Sequence, residues 1–341
     1  MFVQGRKFIA MGKNVAIVTG GFSSEIVISL KSADTVLKNI DRDIFNPYLI
    51  IVKEEKWILK REGHEDITVN KKSFTCDVDG EKISFDCAFI AIHGTPGEDG
   101  KLQDYFDKLN IPYTVSGAMT SSLTFDKNAC KDFLRTHEIL MADSIFVKKG
   151  ESVNGTEIVQ RIGLPCFVKP NSGGSSFGIS KVKEESELQT AIDFAFEEDD
   201  EILIESFVDG RELTCGVLQK GDELIALGVT EIVTENEFFD YEAKYTKGKA
   251  DEITPADISK TIENDCIELS RKLYKLLNCK GISRFDYILS SDQLYCLEVN
   301  TVPGLTDESL IPKQAAYAGI SLKELFSITI NEALASQQVS H

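Results

Sequence analysis

The sequence predicts an α/β protein that contains more than one domain. Buried apolar runs in the N-terminal part end near glycines and are separated by helical segments, which is typical of parallel strands joined by helices. The chain has 341 residues, too many for one ordinary core, and this length indicates two or three domains. Two strand-like runs within residues 284–300 predict a β-hairpin in a later domain.

The N-terminal part is expected to be an open α/β layer. Its strands are predicted at NVAIVTGG (14–21), YLIIVKEEKWIL (48–59) and FDCAFIAIHG (85–94). A helix is predicted over 23–40, with Ser23 or Ser24 as its cap. The last of these strands ends at His93, and its neighbours in the sheet are expected to run parallel to it.

A second unit is expected from about Ser116 and a third from about Gly210. The second is predicted to contain a helix at LTFDKNACKDFLRTH (123–137) and strands around CFVKP (166–170), GISKV (178–182) and EILIESFV (201–208). The third is predicted to contain two long strands at 214–233, a polar stretch of poor periodicity at 234–258, and helices at 258–277 and 320–334.

The predicted hairpin carries a group of polar side chains that could bind a cation. Glu298 and Asn300 are two residues apart, so a strand points both to one face, and the same holds for Arg284 and Asp286. Pairing across the turn would place Asp286 opposite Glu298, with Cβ atoms about 5 Å apart. Carboxylate and amide oxygens suit Mg²⁺, which commonly also holds substrate phosphates. The alternative is a surface hairpin with solvated acids.

Composition limits the classes of partner and compartment. The formal charge of −18 disfavours nucleic acid and anionic membranes as partners. No apolar run approaches the ~18 residues of a membrane span, and the first residues lack the apolar region of a signal peptide. The eight cysteines form no CxxC pair, so we expect reduced core thiols and a cytoplasmic protein. Residues before Asn14 resemble an extension, and Met11 is an alternative start.

A glycine- and serine-rich segment at 169–182 is predicted to bind phosphate. Glycines let backbone amides approach an anion closely, and the hydroxyl groups add donors. The segment lacks the Walker pattern, so a flexible surface hairpin is the alternative. Lys169 favours the phosphate site, because it directly follows an apolar run and a buried ammonium needs an anionic partner. Lys127, at a predicted helix start, is either a second such lysine or a solvated one.

Two further segments place polar residues where a cleft is expected. HGTPGEDG (93–100) follows a strand end, which is where open α/β sheets bind ligands, and GGFSSE (20–25) could reach the same crevice. His93 alone could equally be a loop histidine. Glu205 and Glu212 flank an apolar stretch, where acids at a domain boundary could accept hydrogen bonds from ribose hydroxyls.

Taken in order, these segments resemble the D-alanine–D-alanine ligase family of the ATP-grasp superfamily. The matching pieces are GGFSSEIVISL, HGTPGEDGKLQ, SGAMTSSLTFDK, FVKPNSGGSSFGISKV, EFFDYEAKY, SRFDYIL and LEVNTVPGLTDESLIPK. They extend from Asn14 to the last predicted helix. The departures are Phe177 in place of a more common valine, variation in the glycine loop, and residues 1–12, which lie outside the pattern.

The resemblance implies a three-domain fold with ATP between two β-sheets. It implies an N-terminal α/β domain at 1–115, a central ATP-grasp subdomain at 116–209 and a C-terminal one at 210–341, with a lid (the ω-loop) at 234–258. It also implies a homodimer with ATP and D-alanine as its ligands, and two Mg²⁺ ions that Mn²⁺ can replace.

The resemblance also assigns residues to ATP and the metals. Lys127 and Lys169 would hold phosphates, the loop residues Ser172, Gly173, Gly174 and Ser176 would cover the γ-phosphate, and Lys244 would reach ATP from the lid. Glu205, Phe207, Val208 and Glu212 would line the adenine and ribose pocket. Asp286, Glu298 and Asn300 would bind the metal ions.

For the reaction, the resemblance implies ATP-dependent joining of two D-alanines through an acyl phosphate, for peptidoglycan precursor synthesis. The residues assigned to D-alanine and catalysis are Glu25, His93, Ser175, Tyr245, Arg284, Gly304, Ser309 and Leu310. Glu25 would bind the first ammonium near His93, Arg284 and the Gly304 amide would stabilise the oxyanion, and Ser309 with the Leu310 backbone would bind the second carboxylate. Glu25, Ser175 and Tyr245 would fasten the lid. Tyr245 favours the dipeptide over a product with D-lactate or D-serine, and a non-catalytic nucleotide sensor is the remaining alternative.

Overall fold

The computed structural model describes residues 12–174, 177–234 and 250–338. The described elements form three main sheets and one small hairpin. Within these residues, no helix has the length and apolar character needed to cross a membrane.

The first sheet combines parallel and antiparallel strands. Its strands are β1 (Lys13–Gly20), β2 (Phe45–Val52), β3 (Trp57–Lys60), β4 (Ile67–Thr68) and β7 (Cys87–Ile90), in the order β4-β3-β2-β1-β7. β1 pairs parallel with β2 and β7, as predicted, whereas β3 and β4 are antiparallel. The prediction of one strand over 48–59 was wrong, because the polar residues 53–56 turn the chain back and so short a connection cannot join parallel strands. β5 (Thr75–Val78) and β6 (Glu81–Ser84) form a separate hairpin.

The first helix, α1 (Ile26–Asn39), begins later than predicted. Its N-cap is Glu25, and no side chain caps it. The Ser23 hydroxyl instead accepts a hydrogen bond from the Glu25 N–H at 3.3 Å, within the turn that precedes the helix. This turn points the buried side chain of Glu25 toward the interior.

The second sheet is antiparallel, in the order β10-β9-β11-β8. Its strands are β8 (Ser144–Lys148), β9 (Cys166–Pro170), β10 (Ser180–Val182) and β11 (Glu201–Ser206), and it packs against α5 (Gly155–Ile162) and α6 (Leu188–Ala195). The helix predicted over 123–137 is divided into α3 (Ala118–Phe125) and α4 (Lys127–Arg135). The break is at Asp126, which has extended backbone angles and whose carboxylate accepts from the Ala129 N–H to cap α4.

The third sheet is antiparallel, in the order β14-β13-β12-β15-β16. Its strands are β12 (Arg211–Lys220), β13 (Glu223–Thr234), β14 (Ala250–Ile253), β15 (Ile282–Ser290) and β16 (Gln293–Asn300). The helices of this part are α7 (Lys260–Leu276), α8 (Leu310–Tyr317) and α9 (Leu322–Gln338), and α2 (Lys101–Lys108) completes the described α-helices. The predicted long strands, the hairpin and the helix over 258–277 are present.

The stretch predicted as an irregular polar lid is partly a strand. Residues 250–253 pair with β13 as β14, although their sequence gives little strand signal. An edge strand needs backbone pairing on one side only, so its polar residues can face solvent. Residues 235–249 of the stretch lie outside the described residues.

The first and third sheets share a hydrophobic core. Phe89 of β7 and Phe326 of α9 meet edge to face, with ring centroids 5.5 Å apart. Val15, Leu218 and Ile311 belong to the same cluster, so strands from both sheets contribute to it. All eight cysteines are buried and free, which confirms the prediction of reduced core thiols.

Gly281 provides a test of how tightly the loop before β15 is packed. Its φ is +64°, and a Cβ there would lie 2.0 Å from the Thr114 carbonyl oxygen. Gly221 has φ +61° and open space around it. Gly221→Ala should cost about 1 kcal/mol of stability for the left-handed backbone alone. Gly281→Ala should cost about 1–3 kcal/mol more because of the overlap. Urea unfolding of both variants measures the difference, and equal losses would contradict the packing.

Candidate active site

Two cavities meet at the end of the β15–β16 hairpin. One, the sheet chamber, has a volume of about 430 Å³ and lies between the second and third sheets. The other, the loop chamber, has a volume of about 650 Å³ and is lined by the segment after β1, the segment after β7 and residues 301–309. Arg284, Glu298 and Leu310 line both cavities, so these residues form the wall that the two chambers share.

The sheet chamber has an aromatic and aliphatic interior. Phe167 of β9 and Phe207 lie 6.1 Å apart between ring centroids, with their planes tilted by 45°. The Lys181 ammonium lies 4.1 Å from the Phe207 ring centroid, a cation–π contact that keeps a positive charge beside these rings. Predicted residues Val208 and Glu212 also line this chamber. A flat apolar group with polar edges fits such a space.

A buried triad of charges lies at the inner wall of the sheet chamber. The Glu205 carboxylate contacts the Lys131 ammonium at 2.6 Å and the Lys169 ammonium at 2.5 Å. Burial opposes ionisation of Glu205, but the two ammonium groups outweigh it and lower the pKa of Glu205 to about 2. Sequence reasoning assigned Glu205 to adenine or ribose and missed Lys131. Lys131 lies one turn after Lys127 in the same helix, and this spacing could have indicated that both lysines face the same site.

Lys127 lies at the first position of α4 and reaches the glycine-rich segment. Its ammonium donates to the Gly173 carbonyl at 2.6 Å. Burial lowers the pKa of Lys127. Asn171 fixes the start of the segment: its side chain accepts from the Asn128 N–H at 2.9 Å and donates to Asp126 at 2.9 Å. The segment therefore leaves β9 in a defined direction, with Gly173 and Gly174 lining the loop chamber.

The hairpin brings together the acids that the sequence predicted to be neighbours. Asp286 is in register with Glu298, and Arg284 with Asn300. The Arg284 guanidinium makes two short hydrogen bonds to Asp286, from Nε at 2.8 Å and from Nη2 at 2.7 Å, and its Nη2 lies 3.7 Å from Glu298. Thr214 donates to the same carboxylate at 2.6 Å. The guanidinium of Arg284 is therefore the cation that lies beside both Asp286 and Glu298.

The donor atoms at this end of the hairpin suit Mg²⁺ bound together with a phosphate ligand. Among the residues with described positions, no group of three His, Cys, Asp or Glu side chains could hold a metal ion. Asp286 and Glu298 would therefore supply part of a shell, and Asn300, whose amide nitrogen now donates to Glu298 at 3.0 Å, would have to turn its oxygen toward the metal. Mg²⁺ commonly takes one or two carboxylates and completes its shell with water and phosphate oxygens, so the residues fit.

The loop chamber contains two buried carboxyl groups close to His93. Glu25 and Glu98 are 6% and 9% exposed, and the Gly94 N–H donates to Glu98 at 2.6 Å. Burial, followed by the charge of Glu25, raises the pKa of Glu98 well above its usual value. A cationic group entering the chamber would relieve this repulsion. Sequence reasoning singled out the segment 93–100 but did not select Glu98, because Asp99 lies directly beside it in the same loop.

His93 is buried and neutral at physiological pH. Burial, with the nearby charge of Arg284, lowers the pKa of His93 to about 4, against a hydrogen bond to the Val302 backbone that raises it. Its Nε2 lies 3.1 Å from the Ser32 hydroxyl, and the backbone N–H of His93 donates to the Ser29 hydroxyl at 3.0 Å. His93 therefore acts as a neutral polar group in the chamber wall.

Residues 301–309 form the remaining wall of the loop chamber. A Cβ on Gly304 would lie 2.7 Å from the Ser309 hydroxyl oxygen, so the backbone approaches that hydroxyl closely. Ser309 is the N-cap of α8, and its hydroxyl accepts from the Thr306 N–H at 3.1 Å. The start of α8 thus presents a hydroxyl and backbone amides, which suit a carboxylate.

The structure brings together most of the residues singled out from the sequence. The described ones that line a chamber are Glu25, His93, Lys127, Lys169, Gly173, Gly174, Glu205, Phe207, Val208, Glu212, Arg284, Asp286, Glu298, Asn300, Gly304, Ser309 and Leu310. Ser172 lines neither chamber, and its N–H donates to Asp199 at 2.7 Å. Ser175, Ser176, Lys244 and Tyr245 lie outside the described residues.

Comparison with known proteins gives consistent matches over nearly the whole chain. The family profile described as D-ala D-ala ligase N-terminus matches residues 14–116, and the one described as D-ala D-ala ligase C-terminus matches residues 133–331. The D-alanine–D-alanine ligase of Flavobacterium johnsoniae is 48% identical over 323 residues, covering 95% of this chain and 100% of that protein. The enzyme of the same name from Parabacteroides distasonis is 46% identical over 329 residues, covering 96% and 99%.

Solved structures agree with these matches. The VanG D-Ala:D-Ser ligase from Enterococcus faecalis superposes with a TM-score of 0.84 at 32% identity, covering 95% of this chain and 100% of that one. The D-alanine–D-alanine ligase from Bacillus anthracis complexed with ATP superposes with a TM-score of 0.78 at 28% identity, covering 97% and 100%.

The buried triad predicts a large effect of removing its one anion. Glu205→Gln would leave the Lys131 and Lys169 ammonium groups buried beside each other without a countercharge, and should cost about 3–5 kcal/mol of stability. The same change in the exposed Lys149–Asp200 pair, Asp200→Asn, should cost less than about 1 kcal/mol. Urea unfolding measures both. Similar small losses would show that the triad does not need its carboxylate.

The low pKa of His93 predicts a specific sensitivity to acid. In the unfolded chain His93 is protonated below its usual pKa of 6.5, whereas in the folded chain it is protonated only below a pKa of about 4. The stability that neutral His93 contributes is therefore present at neutral pH and is lost as the pH falls through this window. Between about pH 7 and about pH 4.5 the loss should be about 2 kcal/mol.

Comparison with His93→Gln isolates this contribution. Glu98 and Glu205 titrate in both proteins, so their effects cancel in the difference. Urea unfolding at the two pH values should give a smaller acid-induced loss for the variant. An equal loss in the two proteins would mean that His93 titrates normally in the fold.

Proposed function

This chain belongs to the D-alanine–D-alanine ligase family, and we propose that it joins two molecules of D-alanine into D-alanyl-D-alanine at the expense of ATP. The product would serve peptidoglycan precursor synthesis. The fold is the α/β ATP-grasp fold predicted from the sequence. The observation that carries the proposal is the shared wall of the two chambers, where Arg284 and Glu298 face a space of about 430 Å³ that suits a nucleotide on one side and a space of about 650 Å³ with room for two amino acids on the other.

We assign ATP to the sheet chamber. The aromatic pair Phe167 and Phe207 suits the adenine ring, and Glu212 suits the ribose hydroxyls. Lys169 of β9 suits the phosphates, and so does Lys127 of α4, which lines the adjoining loop chamber and reaches the glycine-rich segment at Gly173. The carboxylates of Asp286 and Glu298 with the amide of Asn300 would hold Mg²⁺ or Mn²⁺, which would neutralise phosphate charge and polarise the γ-phosphate.

We assign the first D-alanine to the loop chamber. Its ammonium would lie against the buried carboxylate of Glu25, beside His93, with its carboxylate directed at Arg284. A carboxylate oxygen attacks the γ-phosphorus of ATP, the bond to the oxygen of the β-phosphate breaks, and ADP leaves with that electron pair. The product is an acyl phosphate, whose leaving group is phosphate rather than oxide.

The second D-alanine attacks this acyl phosphate as a neutral amine. Its nitrogen lone pair forms the new bond to the carbonyl carbon, and the carbonyl oxygen becomes an oxyanion. Arg284 and the Gly304 N–H are suited to stabilise this charge, and one such donor typically contributes about 10²–10³ in rate. Collapse of the intermediate expels phosphate, and the nitrogen gives up a proton. Ser309 and the Leu310 N–H at the start of α8 would bind the second carboxylate.

The wider assignments are part of the same proposal. We propose that the chain divides into domains at 1–115, 116–209 and 210–341, that it forms a homodimer, and that it is located in the cytoplasm. The outer face of α1 supports association of two copies, since Val27 and Leu30 are exposed there, with Phe22 just before the helix. Sedimentation of the purified protein tests the dimer.

The acceptor could also be D-serine, because one structural relative is a D-Ala:D-Ser ligase. The higher identity to enzymes named D-alanine–D-alanine ligase favours D-alanine. Incubating the protein with ATP, Mg²⁺ and D-alanine, alone and in competition with D-serine or D-lactate, tests the proposal. Dipeptide and ADP in equal amounts would support it. No ADP release with any acceptor would overturn it.

Glu298→Gln should abolish ATP turnover while leaving the fold intact. Glu298 lines both chambers, so losing its charge weakens both cation binding and the position of Arg284. Asp292→Asn, in the turn at the other end of the same hairpin, is the matched control and should keep wild-type turnover. ADP release measured across an Mg²⁺ titration checks both variants, and wild-type turnover by Glu298→Gln would remove the assignment.

A further inference from the structure

Two serines one turn apart on α1 connect three segments that line the loop chamber. The Ser29 hydroxyl accepts from the backbone N–H of His93 at 3.0 Å and donates to the backbone carbonyl of Glu25 at 3.3 Å. The Ser32 hydroxyl lies 3.1 Å from His93 Nε2 and accepts from the Leu305 N–H at 3.2 Å. Both serines are fully buried. The helix thus fastens the segment after β7 and residues 301–309 to the turn that carries Glu25.

The contacts of His93 with Ser32 and with the Val302 backbone favour one tautomer of the neutral ring. The Ser32 oxygen accepts from the Leu305 N–H and can donate its own proton to His93 Nε2, while the one N–H of the neutral ring is used by the Val302 backbone. His93 Nε2 is then the acceptor, and the ring proton resides on the other nitrogen. With His93 neutral in this tautomer, the Ser32 hydroxyl has both an acceptor for its proton, His93 Nε2, and a donor to its oxygen, the Leu305 N–H.

Leu305 directly follows Gly304, whose N–H is the proposed oxyanion donor. The Leu305 N–H belongs to the peptide plane between these two residues, so its hydrogen bond to the Ser32 hydroxyl holds that plane in place. Without the hydroxyl, a buried N–H would lose its acceptor, which typically costs about 1–3 kcal/mol and favours a shifted backbone. The Gly304 N–H lies in the preceding peptide plane, which is joined to this one at the Gly304 Cα, so a shift of the backbone here changes the direction of that N–H.

We propose that Ser32 is a positioning residue for the second chemical step, holding the Gly304 amide and the tautomer of His93 in place through one hydroxyl group. The proposal rests on the proposed function, because it presumes that Gly304 stabilises the oxyanion. Ser32 lines neither chamber. Its effect is therefore exerted through Leu305 and His93.

Ser32→Ala should slow dipeptide formation about 10–100-fold, part of the loss expected for removing one oxyanion donor. KM for ATP should be unchanged, because Ser32, His93 and Leu305 do not line the sheet chamber. The ratio of ADP to dipeptide should rise above one. If peptide bond formation is slower, the acyl phosphate persists longer in the site. It is then lost either by release into solution or by attack of water at its phosphorus atom, and neither process depends on the oxyanion donors.

Ser270→Ala is the matched control. Ser270 is also fully buried on a helix, and its hydroxyl contacts the Cys266 carbonyl and the Tyr287 hydroxyl, both at 2.8 Å, away from either chamber. This variant should keep the wild-type ratio of ADP to dipeptide. If Ser32→Ala lowered ADP and dipeptide in equal proportion, Ser32 would be structural only and the inference would be overturned. If the wild type made no dipeptide, the proposed function itself would fail.

Two further measurements keep the inference testable if Ser32→Ala does not fold. Ser32→Cys keeps a group of similar shape with weaker hydrogen bonds, and its ratio of ADP to dipeptide should lie between those of the wild type and a full loss. In the wild type, ¹⁵N chemical shifts of labelled histidine, assigned with His93→Gln, should show an unprotonated Nε2 at neutral pH. A wild-type ratio in Ser32→Cys, or a protonated Nε2 in the wild type, would contradict the proposed role.

Discussion

The arrangement of the site depends on the pairing of buried charges at the wall between the chambers. A charge removed from water must be neutralised by a close partner, and here the partners are Arg284 with Asp286 and Glu298, and Glu205 with Lys131 and Lys169. The same groups are those that suit phosphate, metal and carboxylate ligands. The protein's own charges satisfy one another at this wall, which keeps each charged group in a fixed position.

The charged groups of the site come from separate sheets. Lys169 comes from the second sheet, Arg284 and the acids from the third, and Glu25 and His93 from segments that follow strands of the first. The core shared by the first and third sheets fixes the loop chamber against the hairpin. No single sheet carries enough groups for both an ATP site and two amino-acid sites.

Local patterns in the sequence predicted the elements that carry the functional residues. They failed where contacts between distant parts of the chain determine the structure. The hairpin register follows from alternation and turn residues, so Asp286 opposite Glu298 was predictable. The break at Asp126 and the edge strand β14 were not, since one depends on a capping hydrogen bond and the other on pairing with β13. Lys131 and Ser32 were missed because their partners, Glu205 and Leu305, lie far away in the chain.

The central claim is that a D-alanine carboxylate takes the γ-phosphoryl group of ATP before the peptide bond forms. Turnover of D-alanine labelled with ¹⁸O in its carboxylate tests this directly, with the released inorganic phosphate examined by mass spectrometry. Because the attacking carboxylate oxygen leaves with the phosphate, each phosphate should contain one ¹⁸O atom. Unlabelled phosphate accompanying dipeptide formation would contradict the acyl-phosphate route and the roles assigned to the wall between the chambers.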